Sequence, residues 1–153
     1  MKTIIAFSDS HNVPIPLWLT ALSAESDFIF FTGDGIFGVE NALYPFKDKL
    51  FAVKGNCDGC NAERELVVSV ENVKFLLLHG DAYRDKTNLS LRAREFGCDC
   101  VLYGHTHAFS DDSDGGVRLI NLGSLAHSPT GDIGYVFIAV NGKNIFANFV
   151  KRA

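Results

Sequence analysis

The chain has no apolar run approaching the roughly 18 residues that mark a membrane-spanning helix, and no stretch of lysine or arginine that forms a basic stripe. The first absence excludes a transmembrane helix. The second matters together with the charge balance: 14 basic residues stand against 18 acidic ones, a formal net charge of −4. Bulk attraction to nucleic acid or to an anionic membrane is therefore not expected. Met1-Lys2-Thr3-Ile4-Ile5 runs straight into a strand pattern without a charged region, a long apolar segment or a small-residue cleavage site. No signal peptide is expected, and a cytoplasmic location is the default. Repeats of solenoid length and low-complexity tracts are also missing.

Cysteine is sparse, with 4 in the chain, and its placement argues against a thiolate clamp. Cys57 and Cys60 with Cys98 and Cys100 admit a four-thiolate zinc site on count alone. Cys98 and Cys100, however, flank the start of a predicted strand, where they are expected to share a face, whereas the Cys57 pair comes after the end of another. The two pairs should lie far apart, and no helix pattern opens at Cys57 as a thioredoxin-like motif needs. Reduced thiols are the expectation.

What is present is globular material. With 47% hydrophobic and 21% charged residues, the 153-residue chain fits one domain, residues 1–153, and a chain of this size buries roughly 68 to 70% of its unfolded surface. Lys2 to Phe7, Asp27 to Thr32 and Leu50 to Lys54 read as strands. Between them lie a helix opened by Pro14 and Pro16 in its first turn, with Leu17, Trp18, Ala21 and Leu22 on one face, and a second helix, Gly38 to Lys47, shortened or kinked by Pro45. This strand-helix-strand rhythm predicts a parallel sheet.

Beyond Gly59 the rhythm changes. Leu66 to Val70 and Val73 to Leu78 are separated only by Glu71-Asn72, which predicts a hairpin and a second sheet. A helix is expected from Thr87, as N-cap, to Phe96, with Gly97 past its end. Gly115-Gly116 turns between strands, Val117 to Asn121 forms one, and Tyr135 to Val140 pairs with Asn144 to Val150 through Asn141-Gly142. The expected class is α/β, a four-layer α/β/β/α sandwich of two mixed β-sheets flanked by helices.

The informative pattern lies just past the strand ends. Val101 to Tyr103 ends in Gly104-His105-Thr106-His107, Ile4 to Phe7 in Asp9-Ser10-His11, Phe28 to Phe31 in Gly33-Asp34, Leu50 to Val53 in Gly55-Asn56, and Phe75 to Leu78 in His79. Of the 5 histidines, those at 11, 79, 105 and 107 stand at such ends, where open α/β sheets place their sites. Any one aspartate is ordinarily a cap, and any one histidine a core residue. Seven oxygen and nitrogen donors together, with no thiolate among them, suit divalent transition metals, and seven are too many for one ion.

This ordered set resembles the calcineurin-like metallophosphoesterase superfamily, in particular its small single-domain phosphodiesterase branch, over the stretch from Ile4 to about Ser124. The resemblance implies the sandwich fold and two divalent transition-metal ions, manganese first, with nickel, iron, cobalt or zinc as alternatives. Asp9, His11, Asp34 and His107 would hold one ion, and Asp34, Asn56, His79 and His105 the other, with Asp34 bridging. Asp34, Asn56 and His105 are the residues it assigns to catalysis. Two ions roughly 3.5 to 4 Å apart can share a water, lower its pKa and clamp the attacking and leaving oxygens of an in-line displacement.

The implied substrate is a small phosphate ester, a diester before a monoester. A phosphomonoesterase or nucleotide phosphatase of the same fold, or a weakly active metal-binding scaffold, are the alternatives, and a homo-oligomer is compatible with the sequence. Larger relatives carry a histidine after the asparagine, where this chain has Cys57, and His79-Gly80 is followed by Asp81. With Cys57, the expected substrate-side residues are Asp58, Asp81 and Ser124, and Gly123 and the loop to Gly131 are expected near the pocket. His127 has no matched partner there, and is either a substrate-side group or solvated.

Overall fold

Strands with apolar side chains on both faces need cover on both, and the computed structural model, which describes residues 1–152, provides it with two stacked sheets and helices outside them. In chain order the elements are β1 (Lys2–Phe7), α1 (Leu17–Glu25), β2 (Phe28–Phe31), α2 (Ile36–Ala42), a 3-10 helix (Tyr44–Lys49), β3 (Leu50–Ala52), β4 (Glu65–Val70), β5 (Val73–Leu78), α3 (Lys86–Glu95), β6 (Cys100–Tyr103), β7 (Ser110–Asp114), β8 (Val117–Asn121), β9 (Gly134–Asn141) and β10 (Asn144–Lys151). Each sheet has five strands, ordered β10-β9-β1-β2-β3 and β4-β5-β6-β8-β7. Three neighbouring strands run parallel in each, β1-β2-β3 along one side of the first sheet and β5-β6-β8 in the middle of the second, and antiparallel strands complete both sheets.

The two-residue side-chain period sorts the core into layers. Ile4, Ala6 and Phe30 from the first sheet meet Phe75, Leu77, Leu102 and Ile120 from the second between the sheets. Their neighbours in sequence point outward: Ile5, Phe7, Ile29 and Phe31 pack under Leu19, Ile36 and Val39 of α1 and α2, and Leu76, Val101 and Leu119 under Leu89 and Ala93 of α3. The result is the expected four layers. It also brings the carboxyl ends of β1, β2, β3, β5 and β6 to one rim, because parallel neighbours end on the same side.

Several local expectations shift, each for an identifiable reason. Pro14 and Pro16 precede α1 rather than opening it, since a residue before proline avoids helical backbone, and Pro16 itself is extended at φ −63°, ψ 147°. The buried face of α1 is consequently Leu19 and Ser23 with Trp18 and Leu22 beside them, and Leu17 is 88% exposed. Pro45 ends α2 early and diverts the chain into the 3-10 helix. The α3 cap is Asp85, whose carboxylate accepts from the Asn88 amide at 2.9 Å, and Thr87 lies inside the helix.

At the β9-β10 hairpin Asn141 pairs with Asn144, so the turn is Gly142-Lys143, one residue later than expected. Cys98 packs under α3 and Cys100 between the sheets, so the two do not share a face, and Cys57 and Cys60 are exposed. All four thiols are free. No helix among the described residues is long and apolar enough to cross a membrane.

Candidate metal centre

The rim formed by the strand ends requires unusual backbone. Asp9, His11, Asn12, Asp34, His105 and His107 all have positive φ, between 48° and 74°. Aspartate, asparagine and histidine are the non-glycine residues that enter this region most readily, yet each still costs of order 1–3 kcal/mol, and such residues concentrate at functional sites. Close approach adds a second constraint at two glycines. A Cβ on Gly104 would collide with Ser8 Oγ and Asp9 Oδ2, and one on Gly55 with Asp34 Oδ1. Gly104 serves here through missing bulk, since its own φ is ordinary.

Two buried carboxylates form the floor. Asp9 has no exposed surface; its Oδ2 accepts from Ser8 Oγ at 2.7 Å and from the His105 amide at 3.0 Å. Its Oδ1 has no hydrogen-bond partner and faces three imidazole nitrogens, His107 Nε2 at 3.1 Å and the Nε2 atoms of His11 and His79 at 3.7 Å each. Asp34 repeats the design: Oδ1 accepts from the Cys57 amide at 2.8 Å, while Oδ2 faces His79 Nε2 at 3.1 Å and His11 Nε2 at 4.0 Å. One oxygen of each carboxylate is thus fixed by the protein, and the other is directed at the cluster.

The imidazoles are arranged to suit a cation. His79 is buried, and its Nδ1 lies 2.9 Å from the Thr32 carbonyl oxygen, to which it donates its hydrogen. In the neutral ring that leaves an unprotonated Nε2 aimed at the Asp34 carboxylate, a lone pair against an anion, and a cation between them turns repulsion into ligation. His105 Nδ1 stands 3.3 Å from His79 Nε2, and His11 Nε2 stands 3.2 Å from His107 Nε2. Burial holds His107 below the ordinary imidazole pKa against the opposing pull of Asp9, and His127 and His11 lower it further, which favours the neutral ring that a metal needs.

Three groups of donors therefore lie within 4.8 Å of one another: Asp9, Asp34 and His79; His11, Asp34 and Cys57; and His11, His107 and His127. An unpartnered buried carboxylate oxygen, oriented imidazoles and hard-to-borderline donors fit divalent transition metals. Asn56 is exposed on the loop after β3, its amide nitrogen 3.8 Å from Cys57 Sγ. The Cys57 thiol is pushed up chiefly by the Asp34 charge, with burial adding to it, and so stays protonated at neutral pH.

The substrate-side expectations need correction. Ser124 has no exposed surface, and its hydroxyl donates to the Asp9 carbonyl at 2.9 Å while accepting from the Ala126 and His127 amides at 3.0 Å each, so it braces the site from behind. Gly123 is buried with it. Asp58 is taken up by backbone: its two oxygens accept from the amides of Asp34, Gly35, Ile36 and Gly55 at 2.8 to 3.3 Å, and it holds the Asp34 loop in place. Asp81 is paired with Arg64 at 3.1 Å, which offsets its charge.

Sequence reasoning left His127 between two roles and gave Asn121 none. His127 has ring centroids 4.6 Å from His107 and 5.3 Å from His11, with a loop turn as its only signal in sequence. Asn121, buried, donates from Nδ2 to the Gly104 carbonyl at 3.1 Å and to Thr106 Oγ1 at 2.9 Å, bracing the segment that carries His105 and His107. A polar residue at the end of an apolar strand was its signal.

Comparison with known proteins agrees with this geometry. Over 129 residues the chain is 32% identical to the probable metallophosphoesterase YsnB of Bacillus subtilis, covering 80% of this chain and 74% of that one. A conserved uncharacterized protein of Streptococcus pneumoniae, described as a predicted phosphoesterase, superposes with a TM-score of 0.82 at 24% identity over 98% of this chain and 89% of its own. Zinc-complexed Vps29 of Entamoeba histolytica has the same fold, with a TM-score of 0.73 at 20% identity over 97% of this chain and 98% of its own. Residues 1–143 match the calcineurin-like phosphoesterase superfamily domain, and the chain belongs to that superfamily, among its small YsnB-like members.

Proposed function

We propose that the protein is a two-metal phosphodiesterase acting on a small phosphate ester. The observation that carries this reading is the pair of buried aspartates, each with one oxygen fixed by protein donors and the other turned toward imidazole nitrogens 3.1 Å away. Asp9, His11, Asp34 and His107 would hold one divalent ion, and Asp34, Asn56, His79 and His105 the other. Bound there, two such ions would supply Lewis-acid activation of a water and neutralise phosphate charge.

The chain's own residues supply the rest. Thr32 and Asn121 orient the imidazoles, Asp58 fixes the Asp34 loop, and Asn56 stands at the exposed edge of the cluster, where a substrate oxygen can reach its amide. A cavity of about 320 Å³ adjoins His105, lined in part by Tyr83, Arg84, Leu89, Tyr103 and Phe109, and would receive the organic part of the ester.

The diester preference rests on position 57. A monoester dianion leaving as an alkoxide benefits from an adjacent acid or cation, whereas Cys57 offers a neutral thiol whose proton is held more firmly by Asp34. Activated aryl diesters carry one charge and need little leaving-group protonation. The test is kcat/KM for a chromogenic aryl diester and the matching monoester, with manganese or nickel, at one pH. The diester should be favoured; a clear monoester preference would make the protein a phosphatase of the same fold.

A further inference from the structure

His127 is the one histidine outside the seven-donor set, and the fold holds it against that set. Its loop is pinned at its base: Ser124 Oγ accepts the His127 amide at 3.0 Å and itself donates to the carbonyl of Asp9, and the Leu125 amide donates to the Ser8 carbonyl at 3.0 Å. Leu125 is buried under the first sheet, so the turn carrying His127 is anchored to β1, the strand that delivers Asp9 and His11.

The rings of His107 and His127 meet edge-to-face, at 78° with centroids 4.6 Å apart, and His11 meets His107 at 64° and 5.1 Å. Each of the three offers a ring nitrogen within 4.8 Å of the others. Imidazoles brought edge-on with converging nitrogens are arranged as ligands are.

We propose that His127 is a further metal ligand, completing with His11 and His107 a three-imidazole face on the ion assigned to Asp9, His11, Asp34 and His107. The inference rests on the two-metal reading above and sharpens it. A third nitrogen donor moves that position away from the oxygen-preferring manganese and magnesium toward zinc, cobalt and nickel, while the other ion keeps two nitrogen donors against two oxygens. His127 stands on the exposed side of the cluster, and as a ligand it would compete with an incoming phosphate oxygen.

The experiment is a titration of metal-free protein with cobalt and, separately, with manganese, tracking the cobalt absorption spectrum and bound metal, for the wild type, His127→Phe and His127→Ala. His127 is exposed, so both variants are expected to fold, and thermal melting checks this. His127→Phe keeps a ring in the cluster but removes the donor.

If His127 ligates, both variants lose about tenfold or more in cobalt affinity at one of two sites, change the cobalt spectrum, and lose much less in manganese affinity. If it merely packs, Phe preserves the wild-type cobalt affinity and spectrum, which overturns the proposal while leaving two bound ions. Wild-type protein that binds neither metal overturns the two-metal reading itself, and this inference with it.

Discussion

Asp58 is the most informative single position outside the donor set, because its carboxylate is the sole side chain accepting from four amides whose residues, Asp34, Gly35, Ile36 and Gly55, are all buried. Removing it in Asp58→Ala strips those amides of a charged acceptor. Hydrogen bonds to a charged group contribute about 1.5–3 kcal/mol each, so four set a gross ceiling of roughly 6–12 kcal/mol. Asp58 is itself only half-buried, and water entering the vacated space will satisfy some of the donors. With two amides left unpaired, the net loss is about 2–5 kcal/mol.

Asn does not rescue the position. Its carbonyl can serve the Gly35 and Ile36 pair or the Asp34 and Gly55 pair, and its NH2 then faces the two donors that remain. Asp58→Asn should therefore lose nearly as much stability as Asp58→Ala, against the usual mildness of this exchange. Urea denaturation of metal-free protein measures it, and a loss of about 3 kcal/mol in a chain of this length lowers Tm by roughly 6–12 °C. A fully wild-type midpoint for Asp58→Asn would refute the idea that this carboxylate holds the Asp34 loop.

Other expectations come from named contacts. Asp34→Asn keeps its one oxygen for the Cys57 amide and turns an NH2 toward His79, so it should reduce metal affinity and phosphoesterase activity by about 100-fold or more, and Cys57→Ser far less. Equal losses in folded protein would give Cys57 a chemical role. Arg92 holds Glu65 below the usual carboxylate range through bonds of 2.6 and 2.9 Å, with Tyr83 adding a third. A carboxylate depressed in the folded state stabilises above its unfolded pKa, and that stabilisation disappears as pH falls through the folded pKa. The gap in urea midpoint between wild type and Glu65→Gln should accordingly be widest at neutral pH and close in acid. A gap that does not change with pH contradicts the pairing.

Much of the fold was legible because strand period and turn chemistry are local. Ile4 to Phe7, Phe28 to Phe31 and Phe75 to Leu78 are apolar on both faces and could only be covered strands, and Glu71-Asn72 could hardly join its two flanking strands by anything but a hairpin. β7 shows the limit. Its sequence, Ser-Asp-Asp-Ser-Asp, has no strand preference, and it is a strand because β8 pairs with it and because Asp111 and Asp112 find Arg118 and Lys86, at 2.7 Å in both cases.

The candidate site divides the same way. The side chains that meet at the rim, Asp9, His11, Asp34, His79, His105 and His107, were visible because each stands just past a strand. The roles of Asp58, Ser124, Asn121 and His127 depend on loops from distant parts of the chain meeting at one rim, and nothing in local sequence says which amides or rings a side chain will find there. The pairing of Asp81 was hidden for the same reason, since its partner Arg64 lies just before β4 rather than in its own turn.

The most direct test is a crystal of metal-free protein soaked in manganese or zinc, with anomalous scattering recorded at the absorption edge of the added metal. The account predicts two peaks against the Asp34 carboxylate, one also touching Asp9 and His107 and the other His79 and His105. Metal-replete protein with no peak near Asp34 would contradict it.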